Sequence, residues 1–271
     1  MASAFDLIRE SGLPRHEAER LLVVAAGSTR AEVMTLPDVG HALGERFGRL
    51  VTERKRGVPL QYLEGTVQFG PLELKIDSRA LIPRPETEQL WERVVDRLRA
   101  DPPEVIVDLC TGSGNLALAL KHTFRAAMVY GTDIAAAAVD LARENAAFTG
   151  LDVAFVEGDL FAPVPDGLRG RVDAVVANPP YVSTEDFCSL PVDVRDHEPA
   201  GALVPGRYGD EALVAIAAEA ASWLAPGGLV ACEIGERQGK RAGDLFAAYG
   251  AVVERDLAGR DRFVMGRAPA R

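Results

Sequence analysis

A chain of 271 residues, 48% hydrophobic and 26% charged, can bury the core of one large domain or two smaller ones, and is too apolar to remain disordered. Its formal net charge of −10 argues against wrapping long stretches of nucleic acid, which needs clustered Lys and Arg to neutralise phosphate. No run of about 18 apolar residues offers a membrane span, the start MASAFDLIRESG lacks a signal-peptide pattern, and the scattered Cys110, Cys188 and Cys232 form neither a disulfide framework nor a metal-spaced set, so a soluble cytoplasmic protein with no metal site is expected.

Residues 1–65 predict a small helical bundle. Pro14 sits at an early helical position after Ser11, and Leu21, Leu22 and Ala25 follow at helical spacing. Thr29-Arg30-Ala31-Glu32 has the form of a capping box. Between Val39 and Arg56, the residues Leu43, Phe47, Leu50 and Val51 fall on one stripe, and Arg54-Lys55-Arg56 reads as a solvated helix end, where cations suit the dipole. Residues 66–80 change character: a turn at Phe69-Gly70-Pro71 and the alternation Leu72-Glu73-Leu74-Lys75-Ile76 predict a linking β-hairpin. A helix follows over 85–99, with Leu90, Val94, Val95 and Leu98 inward.

From residue 104 strands and helices alternate. The apolar runs are Val105–Val107, Met128–Tyr130, Val153–Val156, Val172–Val176 and Leu229–Cys232, separated by Ala- and Leu-rich segments such as Ala135–Phe148, which ends at Gly150. Continuous apolar strands alternating with helices imply a parallel sheet covered on both faces. Ala251–Val253 and Arg262–Met265, around Gly259, predict a terminal hairpin that adds an antiparallel edge. The expected division is a helical domain over 1–65, a hairpin over 66–80 and an α/β domain over 81–271.

Two constellations carry the chemistry. Asp108-Leu109-Cys110-Thr111-Gly112-Ser113-Gly114-Asn115 follows the first strand of the sheet and precedes a helix. Its glycines permit a tight turn and close approach to a ligand, and the helix start offers unpaired N–H groups. It lacks the Gly-Lys-Ser/Thr ending of a phosphate loop, while the next strand ends at Gly131-Thr132-Asp133, where an acid can hold a ribose diol. Loop and acid together indicate an adenosine-type cofactor, without separating NAD from S-adenosylmethionine.

Asn178-Pro179-Pro180-Tyr181, after the fourth strand of that series, decides between them. Consecutive prolines fix φ and hold their carbonyls rigidly. The Asn178 side-chain oxygen and the Pro179 carbonyl can both accept from one planar NH2 group, with Tyr181 stacked on it. That presents the nitrogen to an electrophile by positioning and electrostatics, with no strong base. Methyl transfer to a planar amide or amine is the expected chemistry.

On these motifs the chain resembles class I S-adenosylmethionine-dependent methyltransferases, and more narrowly the HemK/PrmC-type protein-(glutamine-N5) methyltransferases, which modify the Gly-Gly-Gln glutamine of peptide chain release factors. The resemblance covers nearly the whole chain. Pro59-Leu60-Gln61-Tyr62 with Gly65 and Phe69, Leu81-Ile82-Pro83-Arg84-Pro85-Glu86-Thr87-Glu88, His197-Glu198-Pro199 with Ala202, Leu203 and Gly206, and Asp256–Arg260 all match its pattern. It implies a Rossmann-like, seven-stranded, mostly parallel sheet behind a small helical-bundle domain that recognises the substrate. Asp108, Cys110, Thr111, Gly112, Ser113 and Gly114 would form the cofactor loop, Thr111, Gly112 and Gly114 lining the methionine part. Asp133 would bind the ribose, and Asp159 and Leu160 would flank the adenine. Asn178 and Pro179 would hold the glutamine amide with Pro180 and Tyr181 beside it, and Arg84 and Glu88 would help close the site. The expected partner is a release factor, met by a monomer.

Where release-factor enzymes carry Gly, this chain has Cys110; Cys110–Gly114 and the His197–Pro199 loop look more like the sister enzymes that methylate a ribosomal-protein glutamine, whereas Arg84–Glu88 favours the release-factor branch. A small amide or amine metabolite is a further alternative acceptor, as is the exocyclic amine of adenine, which the low pI and the lack of an evident DNA-recognition domain disfavour. Cys110 reads as a packing residue and His197 as a hydrogen-bonded loop histidine, not as nucleophile and base.

Overall fold

The computed structural model describes residues 3–36 and 38–270. Five helices open the chain: α1 (Ala4–Glu10), α2 (Arg15–Ala26), α3 (Arg30–Met34), α4 (His41–Lys55) and α5 (Leu60–Glu64). Capping boxes start α1 at Ser3 with Asp6 and α3 at Thr29 with Glu32, as predicted for the latter, and α2 ends on Gly27 in the left-handed region. Pro14 is the residue before α2 rather than one inside it. Leu21, Leu22, Val33, Phe47 and Val51 close a core of their own. Arg54 is not a freely solvated helix end: it reaches back to Glu17 at 2.7 Å in a largely buried pair that ties α4 to α2.

Strands β1 (Thr66–Phe69) and β2 (Leu72–Lys75) form the expected antiparallel hairpin. Its buried residues Phe69, Leu72 and Leu74 pack with Leu90 and Val94 of α6 (Pro85–Leu98), so the hairpin contributes to the apolar core on one face of the sheet. The chain continues through β3 (Val105–Leu109), α7 (Asn115–Thr123), β4 (Met128–Asp133), α8 (Ala136–Thr149), β5 (Ala154–Glu157) and β6 (Val172–Ala177). Short helices α9 (Thr184–Phe187) and α10 (Val192–His197) lead to α11 (Glu211–Trp223), β7 (Leu224–Glu233), α12 (Gly239–Leu245), β8 (Val252–Arg255) and β9 (Asp261–Arg267). Among the described residues, no helix is long and apolar enough to cross a membrane.

The seven strands lie in the order β5-β4-β3-β6-β7-β9-β8, parallel from β5 to β7. All five residues of β3 are buried, as a strand covered on both faces requires. The antiparallel strand is not the edge. β9 inserts between β7 and β8, with its Phe263, Val264 and Met265 buried, and β8 is the half-exposed outer strand. After β3 the chain moves outward through β4 and β5, then returns to β6 on the other side. The crevice above β3 and β6 is therefore the switch point where such sheets bind ligands.

Asn145, fully buried on α8, fastens the hairpin to this crevice. Its Oδ1 accepts from Lys75 N at 2.7 Å, and its Nδ2 donates to Lys75 O at 3.0 Å and Ser113 O at 2.9 Å. Asn145→Ala leaves three backbone groups without these partners, and the expected loss is about 3 kcal/mol in urea unfolding, from lost and unsatisfied buried hydrogen bonds. An unchanged unfolding midpoint would contradict this role.

Candidate active site

A cavity of about 650 Å³ opens above the switch point. Its floor is the loop after β3. Asp108, at the end of that strand and buried, accepts from Thr111 Oγ1 at 2.6 Å and from Ala117 N at 3.2 Å, so it braces the loop from beneath. Burial pushes its carboxyl up to about 7, against those hydrogen bonds. Cys110, Thr111, Gly112 and Ser113 line the cavity; Asp108 and Gly114 do not. Gly112 lies in the left-handed region, and a Cβ there would meet only open space. Gly114 serves packing: with φ at +80°, its Cβ would stand 2.7 Å from the Phe155 ring.

Among the described residues, two non-glycine residues adopt left-handed backbone, Cys110 (φ 57°) and Leu160 (φ 43°), and both line this cavity. Each conformation costs ~1 kcal/mol or more, strain of the kind held at binding sites. Burial pushes the Cys110 thiol far up, which disfavours the thiolate that a nucleophile needs.

Asp133 ends β4 on the cavity wall. It accepts from Gly112 N and Ala135 N, each at 2.9 Å, which couples the wall to the floor, and burial raises its carboxyl. Ile134 beside it is 71% exposed and also lines the cavity, an apolar surface set against an acid. Asp159 and Leu160 follow β5 on the same wall.

Asn178 and Pro180 reach the cavity from the end of β6; Pro179 is buried behind them. Asn178 Nδ2 donates to Thr87 Oγ1 at 3.0 Å, and Thr87 Oγ1 donates to Glu233 Oε2 at 2.7 Å. Tyr181 lies outside the lining residues, with its hydroxyl 3.5 Å from Glu233 Oε1. Sequence reasoning passed over Thr87 and Glu233. The signal for Glu233 was an acid ending an apolar strand at the carboxyl edge of the sheet.

Arg84 and Glu88 do not line the cavity. Arg84 pairs at 2.7 Å with Glu198, whose side chain is buried and also accepts from Ile82 N. This pair clamps the 198–205 loop over the opening, where Pro199, Gly201, Ala202, Val204 and Pro205 contribute to the lining. Glu88 accepts from Gly70 N, on the turn of the hairpin. His197 is not among the lining residues either; it packs against Gly57 at the end of α4.

Known proteins resemble the chain in sequence and fold. The family model of the methyltransferase small domain matches residues 91–190, and that of the PrmC N-terminal domain matches residues 1–65. A methyltransferase from Pyrococcus furiosus superimposes with a TM-score of 0.53 at 20% identity, over 73% of this chain and 89% of that one, a likeness of fold. The chain is thus a class I methyltransferase, with S-adenosylmethionine as its cofactor. A release factor glutamine methyltransferase of Moorella thermoacetica is 43% identical over 258 residues, 92% of this chain and 89% of its own. That of Deinococcus radiodurans is 40% identical over 258 residues, 94% and 91% of the two chains. The chain belongs to the release factor glutamine methyltransferase family.

The cavity fits that cofactor. Ser113 Oγ is buried on its floor with no protein partner, a polar atom left for a ligand. Gly112 leaves open space above the loop, and the carboxylate of Asp133 has acceptor capacity beyond its two backbone donors.

Asp108 provides a test by pH. Its folded pKa lies above the ordinary aspartate value, so the folded state binds the extra proton and this group's contribution to stability falls as pH rises from about 4 through 7. Asp108→Asn removes that dependence. The stability of the variant relative to wild type should therefore improve by roughly 3 kcal/mol between pH 4 and pH 8. A pH-independent difference in denaturant unfolding would contradict the assignment.

Proposed function

We propose that this enzyme transfers a methyl group to the side-chain amide nitrogen of a glutamine in a peptide chain release factor. The observation that carries the reading is the position of Asn178: it shares one cavity with the Gly-rich loop and Asp133, and its Nδ2 is tied to Thr87. The atom left to meet a substrate is Oδ1, an acceptor suited to an NH2 donor. The relatives named as release factor glutamine methyltransferases match over more than nine-tenths of this chain, which supports that acceptor. The net charge of −10 favours a protein acceptor over a polynucleotide. A cytoplasmic, monomeric enzyme is part of the same reading.

In this reading Thr111, Gly112 and Ser113 hold the methionine part of the cofactor. Asp133 accepts from the ribose hydroxyls, and Ile134 and Leu160 with Asp159 flank the adenine. S-adenosylmethionine, when bound, supplies an electrophilic methyl on a sulfonium. Asn178 Oδ1 accepts one hydrogen of the glutamine amide, and the carbonyl of Pro179, a residue buried behind the cavity lining, is the acceptor adjacent in the chain for the other. An amide nitrogen is a weak nucleophile, and holding both hydrogens restrains its rotation while stabilising the positive charge that develops on it. That nitrogen would receive the bound donor's methyl, with S-adenosylhomocysteine as the other product, and one amide proton would go to solvent. The helical domain presents the protein-borne glutamine from outside the cofactor domain.

The test is a radiolabelled methyl-transfer assay offering a release factor, a ribosomal-protein preparation, a metabolite extract and DNA. Label is expected in the release factor. Asn178→Ala should reduce the rate about 10²–10³-fold, the scale of losing one transition-state hydrogen bond, with cofactor binding by calorimetry retained. Label in any other acceptor alone, or an unchanged rate for the variant, would overturn the reading. Asp133→Ala should instead weaken cofactor binding tenfold or more, about 1.4 kcal/mol at the least; unchanged calorimetry would remove Asp133 from the ribose.

A further inference from the structure

Glu233, at the end of β7 with 1% of its surface exposed, is a carboxylate that the reaction above does not use. We propose that Glu233 is a positioning residue: through Thr87 it fixes which edge of the Asn178 amide faces the substrate, and through Tyr181 it holds the far end of the Asn-Pro-Pro-Tyr turn. The inference rests on the glutamine-amide reading and names what sets the polarity of its site.

A threonine hydroxyl has one proton to give. Thr87 gives it to Glu233 Oε2 at 2.7 Å, so toward Asn178 it can only accept. Asn178 must then turn its NH2 edge to Thr87, which leaves Oδ1 for the substrate. Protonation of Glu233 removes the constraint. A neutral carboxyl can donate to Thr87, whose own proton then points at Asn178 and requires its oxygen. The amide turns over, and its NH2 meets the NH2 of the glutamine, donor against donor. The second oxygen of Glu233 faces the Tyr181 hydroxyl at 3.5 Å, so one carboxylate holds both ends of the motif.

The surroundings leave this switch within reach of ordinary pH. Burial disfavours the charge and Glu86, in the first turn of α6, opposes it; Arg262 of β9 and the hydrogen bonds from Thr87 and Tyr181 favour it. The carboxyl is pushed up to about 7. Because the ionised form is the one that orders Asn178, transfer should be supported above that pH and lost as pH falls through it.

The test uses the full-length enzyme with a release factor, measuring kcat and KM from about pH 6 to 9, together with calorimetry for S-adenosylmethionine. Wild type should show an acidic limb in kcat near pH 7, which Glu233→Gln should lack. Thr87→Val should lower kcat tenfold or more while KM and cofactor affinity change less than about twofold, the pattern of an interaction made in the transition state. Thr87→Ser, which keeps the hydroxyl, should restore most of the rate and also shows that the position tolerates change. Wild-type kcat in Thr87→Val, an acidic limb that persists in Glu233→Gln, or a folded Thr87→Ser as impaired as Thr87→Val would each overturn the inference. A wild type that labels other acceptors but no release factor would overturn the acceptor reading, and this inference with it.

Discussion

The parallel pairing of β3 with β4 on one side and β6 on the other sets where chemistry can happen in this molecule. Pairing Asp108 with Gly131 and with Val176 brings the carboxyl ends of three strands to one level. The loops that leave them must then meet above β3, whatever their sequence. Asp108 braces the first, Asp133 ends the second strand and accepts from the first loop, and Asn178 begins the third. Each of these side chains is ordinary alone. Their convergence comes from a register held by the buried Ile106, Val107, Val175 and Val176.

Around that crevice the protein accepts local instability. Asp108, Asp133, Glu198 and Glu233 are all carboxyls that burial raises, and Cys110 and Leu160 hold backbone that side chains disfavour. Such departures belong at a site whose groups must be fixed before the ligand arrives. The rest of the fold supplies the surplus: two apolar layers cover the sheet, one on either face, and a separate apolar cluster closes the N-terminal helices. The Arg84–Glu198 pair and the Asn145 bridge carry this rigidity outward to the loop over the cavity and to the hairpin.

Much of this was legible in the amino-acid sequence because it is local. Apolar runs of three to five residues between Ala-rich helices show a parallel sheet, and the Gly-rich loop, Asp133 and Asn178–Tyr181 each announce themselves within a few residues. The order of the last two strands was not legible, since both arms of that hairpin are apolar in sequence and only their burial decides which lies inside. Arg84 and Glu88 matched a motif, yet they act on Glu198 and the hairpin turn and not at the cavity. Asn145, Thr87 and Glu233 escaped notice for a common reason: their partners stand 32 to 146 residues away, and no local pattern marks a polar residue as half of a distant hydrogen bond.

The central claim is that the site grips a planar NH2 by both of its hydrogens. A nitrogen that has received one methyl keeps only one hydrogen and can no longer satisfy both Asn178 and Pro179. The most direct measurement is therefore fragment-ion mass spectrometry of a release factor after exhaustive incubation with the enzyme and S-adenosylmethionine. The account predicts a single methyl, on one glutamine side-chain amide, with no further addition at long times. A dimethylated amide, or a methyl on any other atom, would contradict it.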